Sequence, residues 1–158
     1  MVINIEIDGF GKIEAKYLVS DLNGTLAMYG KVSSETKKLI NQLKFKIKIY
    51  ILSADTFNNG KKIADDLGVG FHKISGTKSQ AFEKCEFIQK LDPEKSIVMG
   101  NGRNDYMMFQ KAKLAFGIMG EEGINPKTLK EADLVVNSPE NALKMLLNPI
   151  ALKAGLRE

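Results

Sequence analysis

The chain is poor in the residues that build the commonest catalytic and metal centres. It has one cysteine, Cys85, and one histidine, His72. That pair excludes an internal disulfide and a Cys/His zinc site, and a Ser-His-Asp arrangement has only His72 to draw on. Tryptophan is absent, and only Arg103 and Arg157 of the 23 cationic side chains are arginine. With so few readers of base edges, no sequence-specific nucleic-acid partner is expected. No block of five like charges occurs, so the net charge of +4 describes a solvated lysine-rich surface. No apolar run approaches the ~18 residues of a membrane span, and Glu6, Asp8 and Glu14 interrupt the opening segment. Neither a membrane partner nor a signal peptide is expected, which implies a cytoplasmic protein.

What remains is 158 residues, 44% hydrophobic and 27% charged, the balance of one globular domain. From residue 17 onward, apolar strand-like runs alternate with helix-period stretches. Tyr17-Leu18-Val19-Ser20 reads as a buried strand ending at Asp21. Ser33 and Ser34 offer a cap to a helix whose apolar side carries Thr36, Leu39, Ile40 and Leu43. Ile47, Ile49 and Ile51 alternate in a second strand that runs out at Leu52 and Ser53. The next helix stops at Gly68, a left-handed C-cap. A short strand over 69–74 precedes a helix striped by Phe82, Cys85, Ile88 and Leu91. Further strands fall at 96–99, 114–119 and 133–136, and Ser138-Pro139 opens a last helix with proline at its first position.

This alternation predicts a single α/β domain over 1–158: a Rossmann-like, mostly parallel sheet with helices on both faces. Residues 1–16 differ, since 2–7 and 12–15 flank Asp8-Gly9-Phe10-Gly11, which predicts a β-hairpin added to the sheet.

In such sheets ligands collect beyond the carboxyl ends of the strands. Three strands end in polar sets: Asp21-Leu22-Asn23-Gly24-Thr25, Ser53-Ala54-Asp55, and Gly100-Asn101-Gly102-Arg103-Asn104-Asp105. Gly24 permits a sharp turn that presents N–H groups to an anion, and Thr25 and Ser53 add hydroxyl donors. Asp21 and Asp105 suit a hard cation such as Mg²⁺, which takes oxygen ligands and keeps several waters. Lys84, or Lys78 six residues earlier, is the candidate to neutralise a phosphoryl oxygen.

Taken in order, these motifs resemble those of the haloacid dehalogenase (HAD) superfamily. The resemblance is nearest to the phosphorylation domain of P-type ATPases and its small soluble relatives. Ser53-Ala54-Asp55-Thr56 is similar to their Thr-Gly-Asp, and the register from Lys84 through Ile88 to Leu91 to their Lys-x-x-x-Ile-x-x-Leu. The segment from Gly100 to Asp105 is similar to Gly-Asp-Gly-x-Asn-Asp. The likeness runs over roughly 17–147. It implies that Asp21 is a nucleophile forming an aspartyl phosphate, and that Asn23 lends its main-chain carbonyl to Mg²⁺. By the same resemblance Gly24, Thr25 and Ser53 bind the phosphoryl group, Lys84 offsets its charge, and Asn101 and Asp105 complete the metal set with Asp21 and Asn23.

Two positions depart from the family pattern. Most family phosphatases have Asp where Asn23 stands, as the acid and base of the reaction, and an amide does neither job. General acid–base help is worth about 10²–10⁴-fold. Asn101 likewise stands where the family has a metal-coordinating Asp. The expectation is therefore a slow Mg²⁺-dependent phosphohydrolase or, alternatively, a phosphate- or phosphoprotein-binding regulator on the same fold. A receiver-like switch is disfavoured, because receivers place acidic residues before the phosphorylated Asp. Only 31 residues separate Asp21 from Ser53, and 30 separate Ser53 from Lys84. Neither interval holds a cap domain, leaving 26–32 as a short flap over an open site. Such an open site favours a macromolecular substrate such as a phosphoprotein, or completion by a second subunit in a homo-oligomer; a phosphorylated small molecule is the other expected partner.

Other residues take plainer readings. Asp55 fits a turn or cap as well as its motif, Ser53 also fits a helix cap, and Arg103 reads as a solvated loop cation. His72 reads as a surface or satisfied histidine and Cys85 as core. The methionines 99, 107, 108 and 119 read as core packing, with the lining of a hydrophobic substrate entrance as the alternative.

Overall fold

A computed structural model describes residues 1–55 and 58–158. Its centre is a six-stranded, wholly parallel sheet of β3 (Tyr17–Asp21), β4 (Lys48–Ser53), β5 (Gly70–Lys73), β6 (Ser96–Gly100), β7 (Leu114–Ile118) and β8 (Leu134–Val136), in the order β5-β4-β3-β6-β7-β8. All five residues of β6 and of β7 are buried, as strands covered on both faces must be. Successive side chains point to opposite faces, so Leu18 and Ile97 join one apolar cluster while Val19 and Val98 join the other. The first cluster is covered by α1 (Ser34–Leu43), α2 (Gly60–Leu67), α6 (Pro139–Leu147) and α7 (Ile150–Leu156). On the other face lie α3 (Gln80–Leu91) and α4 (Tyr106–Lys111), with α5 (Pro126–Glu131) beside α4.

The caps follow from the sequence. Ser33 accepts from Thr36 N at the start of α1, Ser138 accepts from Asn141 N at the start of α6, and Gly68 ends α2 at φ 69°. Three features depart from the sequence reading. The hairpin of β1 (Ile3–Ile7) and β2 (Gly11–Ala15) forms, but as its own two-stranded sheet rather than an extension of the main one. It is held by apolar burial instead: Ile3, Ile5, Ile7, Ile13 and Ala15 belong to the first cluster. Phe82, placed on the buried stripe of α3, is exposed, while the charged Glu83 and Lys84 are buried in its stead. And α7 follows the helix expected to be last; it buries only Leu152, too little for a periodic signal. Among the described residues, no helix is long and apolar enough to cross a membrane.

Candidate active site

The sheet's connections run outward in both directions from β3 and β6, and the loops leaving these neighbours diverge at their carboxyl ends. Asp21 is the last residue of β3, and Gly100 is the last of β6. A crevice for ligands opens at this kind of point.

The Lys84 ammonium, 1% exposed, reaches in from α3 to donate to Asp21 Oδ1 at 2.9 Å and Asp105 Oδ1 at 2.7 Å. Asp105 Oδ2 accepts from Asn101 N and Gly102 N, each at 3.0 Å, so the loop after β6 wraps its own carboxylate. Gly100 must lack a side chain there, because the Asp105 carboxylate fills the space of its β-carbon. Lys78, the competing lysine, lies outside this cluster and pairs with Glu86 at the surface.

Burial pushes the Asp21 carboxyl up to about 6; the Lys84 charge opposes this and the Asp105 charge adds to it. Burial works against the Lys84 ammonium, but Asp105 and Asp21 together outweigh it and hold its pKa above the ordinary lysine range.

After β3 the chain turns at Gly24, φ 79°, which donates its N–H to Ala27 O at 2.8 Å. Thr25, fully buried, donates its hydroxyl to Asn101 Oδ1 at 3.1 Å, and Asn101 Nδ2 donates to Gly123 O at 3.1 Å. Asn23 Oδ1 is buried with no hydrogen-bond partner among the described residues. Ser53, at the end of β4, accepts from Asp55 N at 2.9 Å, which leaves its own proton free to be donated. It does not cap a helix: α2 starts at Gly60 behind Asn59. Asp55 takes the turn role, at φ 57°, accepting from Gly60 N at 2.6 Å. Thr56, the last residue of the matched Ser-Ala-Asp-Thr run, lies outside the described residues.

The residues given plainer readings occupy varied positions. His72 is exposed and stacks on Phe87 with ring centroids 4.7 Å apart. Cys85 is buried, and burial pushes its thiol up. Met99 and Met108 are core, but Met119 is exposed and shares with Met28 a cavity of about 500 Å³ beside the 26–32 segment. Arg103 is exposed.

Two residues escaped the sequence reading. Glu83 accepts from Ser75 N, Ser75 Oγ, Gly76 N and Lys78 N, tying the 75–78 loop to the first turn of the helix that carries Lys84. A carboxylate one residue from a motif lysine carries no signal of its own. The other, Glu122, lies against Gly24 from the loop between β7 and α5.

No protein-family profile matches the chain. An uncharacterized protein of Methanocaldococcus jannaschii is 36% identical over 87 residues, 54% of this chain and 94% of its own length, and the two belong to one family. Among solved structures, the 3-deoxy-D-manno-octulosonate 8-phosphate phosphatase of Moraxella catarrhalis, bound to magnesium, phosphate and its KDO molecule, superposes with a TM-score of 0.69. It is 14% identical, over 84% of this chain and 86% of that one. The cobalt-bound deoxy-D-mannose-octulosonate 8-phosphate phosphatase of Haemophilus influenzae gives a TM-score of 0.67 at 15% identity, over 89% and 90%. A protein from Streptomyces avermitilis assigned to the HAD family of hydrolases gives 0.66 at 16%, over 84% and 82%. The chain has the haloacid dehalogenase fold.

Within the HAD fold, the polar cluster at the ends of β3 and β6 suits a divalent cation on chemical grounds. Two carboxylates against one ammonium leave a formal surplus of one negative charge, and among the described residues the buried Asn23 Oδ1 is an oxygen without a donor. Among the described residues, no three Asp, Glu, His or Cys side chains form a cage by themselves. A cation in this HAD site would rest on few charged ligands and on amide or main-chain oxygens.

Proposed function

We propose that the protein is a Mg²⁺-dependent phosphohydrolase that carries the phosphoryl group on Asp21. The observation that supports this reading is the buried Asp21–Lys84–Asp105 cluster at the point where the sheet's connections diverge. A carboxylate on a rigid strand end is paired with a buried ammonium that Asp105 holds from the other side.

The Asp21 carboxylate attacks phosphorus, forming a new P–O bond as the bond to the leaving oxygen breaks. Lys84 and the Ser53 hydroxyl offset and orient the charge on the phosphoryl oxygens; such a loose transition state asks for little else. Water then attacks phosphorus, the Asp21–phosphorus bond breaks, and inorganic phosphate leaves. Asn23 neither protonates the leaving group nor takes the proton from water, so both transfers go through solvent and the reaction is slow. Mg²⁺, when bound, adds charge neutralisation at the phosphoryl oxygens. Asp21 and Asn23 would hold it directly. Asn101 and Asp105 stand behind them, their side chains engaged by Thr25 and Gly123 in one case and by Lys84 and main-chain N–H groups in the other.

The substrate class is a phosphorylated small molecule, admitted beside the 26–32 segment, which acts as a flap on a single domain without a cap. The flap has one antiparallel bridge, Met28 to Lys31, and borders the cavity lined by Met28 and Met119. The amide at Asn23 favours a second reading, a phosphate-binding regulator that does not turn over.

Hydrolysis of p-nitrophenyl phosphate with and without Mg²⁺ separates the two. The phosphohydrolase reading expects Mg²⁺-dependent turnover by the wild type and none by Asp21→Asn. A silent wild type that still binds phosphate supports the regulator instead.

A further inference from the structure

Asn101 stands where a carboxylate was expected, and its amide does something that a carboxylate cannot. Its Nδ2 donates to Gly123 O at 3.1 Å, and its main-chain oxygen accepts from Asn125 N at 2.8 Å. It therefore grips the β7–α5 loop at two points. Between Gly120 and Gly123 the loop makes a tight turn, closed by Gly123 N donating to Gly120 O at 3.0 Å, with Gly123 at φ 70°. Glu121 and Glu122 are its central residues. An Asp at 101 would present only acceptors to the Gly123 carbonyl and would lose the side-chain half of this grip.

The turn delivers a carboxylate to the candidate site. Glu122 Oε2 occupies the place of a β-carbon on Gly24, and Asn101 Nδ2 lies 2.7 Å from that same point. Glu122 thus sits over Gly24, beside Asn101 and one residue from Asn23, whose buried Oδ1 has no partner among the described residues. Among the described residues, Glu122 itself makes no ion pair, whereas Glu121 faces the Tyr29 hydroxyl on the flap. Two oxygen-bearing groups without partners therefore flank Gly24, at a site whose Asn101 and Asp105 side chains are already engaged.

We propose that Glu122 supplies the carboxylate missing at Asn101, and that a divalent cation at this site is held jointly by Asp21, Asn23 and Glu122. The inference rests on the phosphohydrolase reading for the place of the metal but not for turnover. It makes the Asn101 amide a positioning group, which exchanges direct ligation for control of the loop that carries the ligand.

The test is Mn²⁺ binding to the full chain, followed by electron paramagnetic resonance and titration calorimetry. It compares wild type, Asp21→Asn, Glu122→Gln, Glu121→Gln and the double variant Asn101→Asp with Glu122→Gln. Loss of a group that merely orients a ligand weakens metal binding about 10–100-fold, so Glu122→Gln and Asp21→Asn should each weaken it at least about tenfold. Glu121→Gln should leave it near wild type, and the double variant should recover affinity because a carboxylate is restored at 101. Thermal melts of Glu122→Gln should match wild type, since the side chain is exposed. Wild-type affinity in Glu122→Gln, no Mn²⁺ binding at millimolar concentration, or binding indifferent to Asp21→Asn would each overturn the proposal. If Mn²⁺ binding requires Asp21 and Glu122 but the wild type hydrolyses nothing, the metal site stands and the phosphohydrolase reading falls. If the wild type hydrolyses p-nitrophenyl phosphate while Glu122→Gln keeps its affinity, the reverse holds.

Discussion

Lys84 Nζ lies 2.7 Å from Asp105 Oδ1, and neither side chain has more than 1% of its surface exposed. A fully desolvated pair of this kind tolerates the loss of its members very unequally. Lys84→Ala would strand two buried carboxylates without a cation and should cost about 3–5 kcal/mol. Asp21→Asn keeps the Lys84–Asp105 pair and removes a surplus buried charge, so it should cost far less or even stabilise. Urea unfolding at neutral pH reads both, and equal losses would contradict the asymmetry.

The same burial sets a pH dependence. With its folded pKa raised to about 6 from an ordinary 3.8, Asp21 keeps its proton in the folded chain where the unfolded chain has lost it. The raised pKa therefore favours folding at low pH, and this contribution fades as pH rises through about 6. In chelator, carbon NMR of the Asp21 carboxyl should show a midpoint near 6. Stability measured between about pH 4 and pH 7 should fall less steeply in Asp21→Asn than in wild type.

Restoring a carboxyl at position 23 should speed hydrolysis. Asn23→Asp returns a group that both donates and accepts protons, with a ceiling of about 10²–10⁴-fold in turnover. A steady-state assay with p-nitrophenyl phosphate and Mg²⁺ measures the gain. A rate no higher than wild type would mean that Asn23 is not what limits the reaction.

Gly24 answers to two constraints, a left-handed backbone at φ 79° and the Glu122 carboxylate over its α-carbon. The backbone alone makes Gly24→Ala cost about 1–2 kcal/mol, and the collision adds to it. In a Glu122→Ala background, Gly24→Ala should lose only the backbone part. Urea unfolding of the four chains gives the coupling directly, and strict additivity would argue against the contact.

The N-terminal hairpin is bound to the rest by side chains rather than by a shared ladder. Ile13 is fully buried in the larger apolar cluster. Ile13→Ala should cost about 2–5 kcal/mol in a single cooperative transition. A separate early transition, with the main unfolding unchanged, would show that the hairpin melts independently.

The parallel α/β layering and the positions of the polar strand ends are legible in the order of the residues alone. Both are written locally: buried strands as short apolar runs, helices as 3.6-residue stripes with Ser33, Gly68 and Ser138 at their ends, and Asp21 as the residue on which a strand stops. Tertiary packing fixes what depends on contacts between distant residues. It brought Lys84 rather than Lys78 to the strand ends, because Lys84 lies on the face of α3 turned to them while Lys78 precedes that helix and pairs with Glu86. It turned Phe82 outward, because the charged partners awaiting Lys84 outweighed an apolar stripe. It made the hairpin a separate sheet docked through Ile13, since alternation in a strand reveals which face is buried but not what edge it pairs with. It also brought Glu122 onto Gly24 across 97 intervening residues. No local pattern encodes that meeting, for it is made by a β-strand register, a tight turn and one amide hydrogen bond from Asn101.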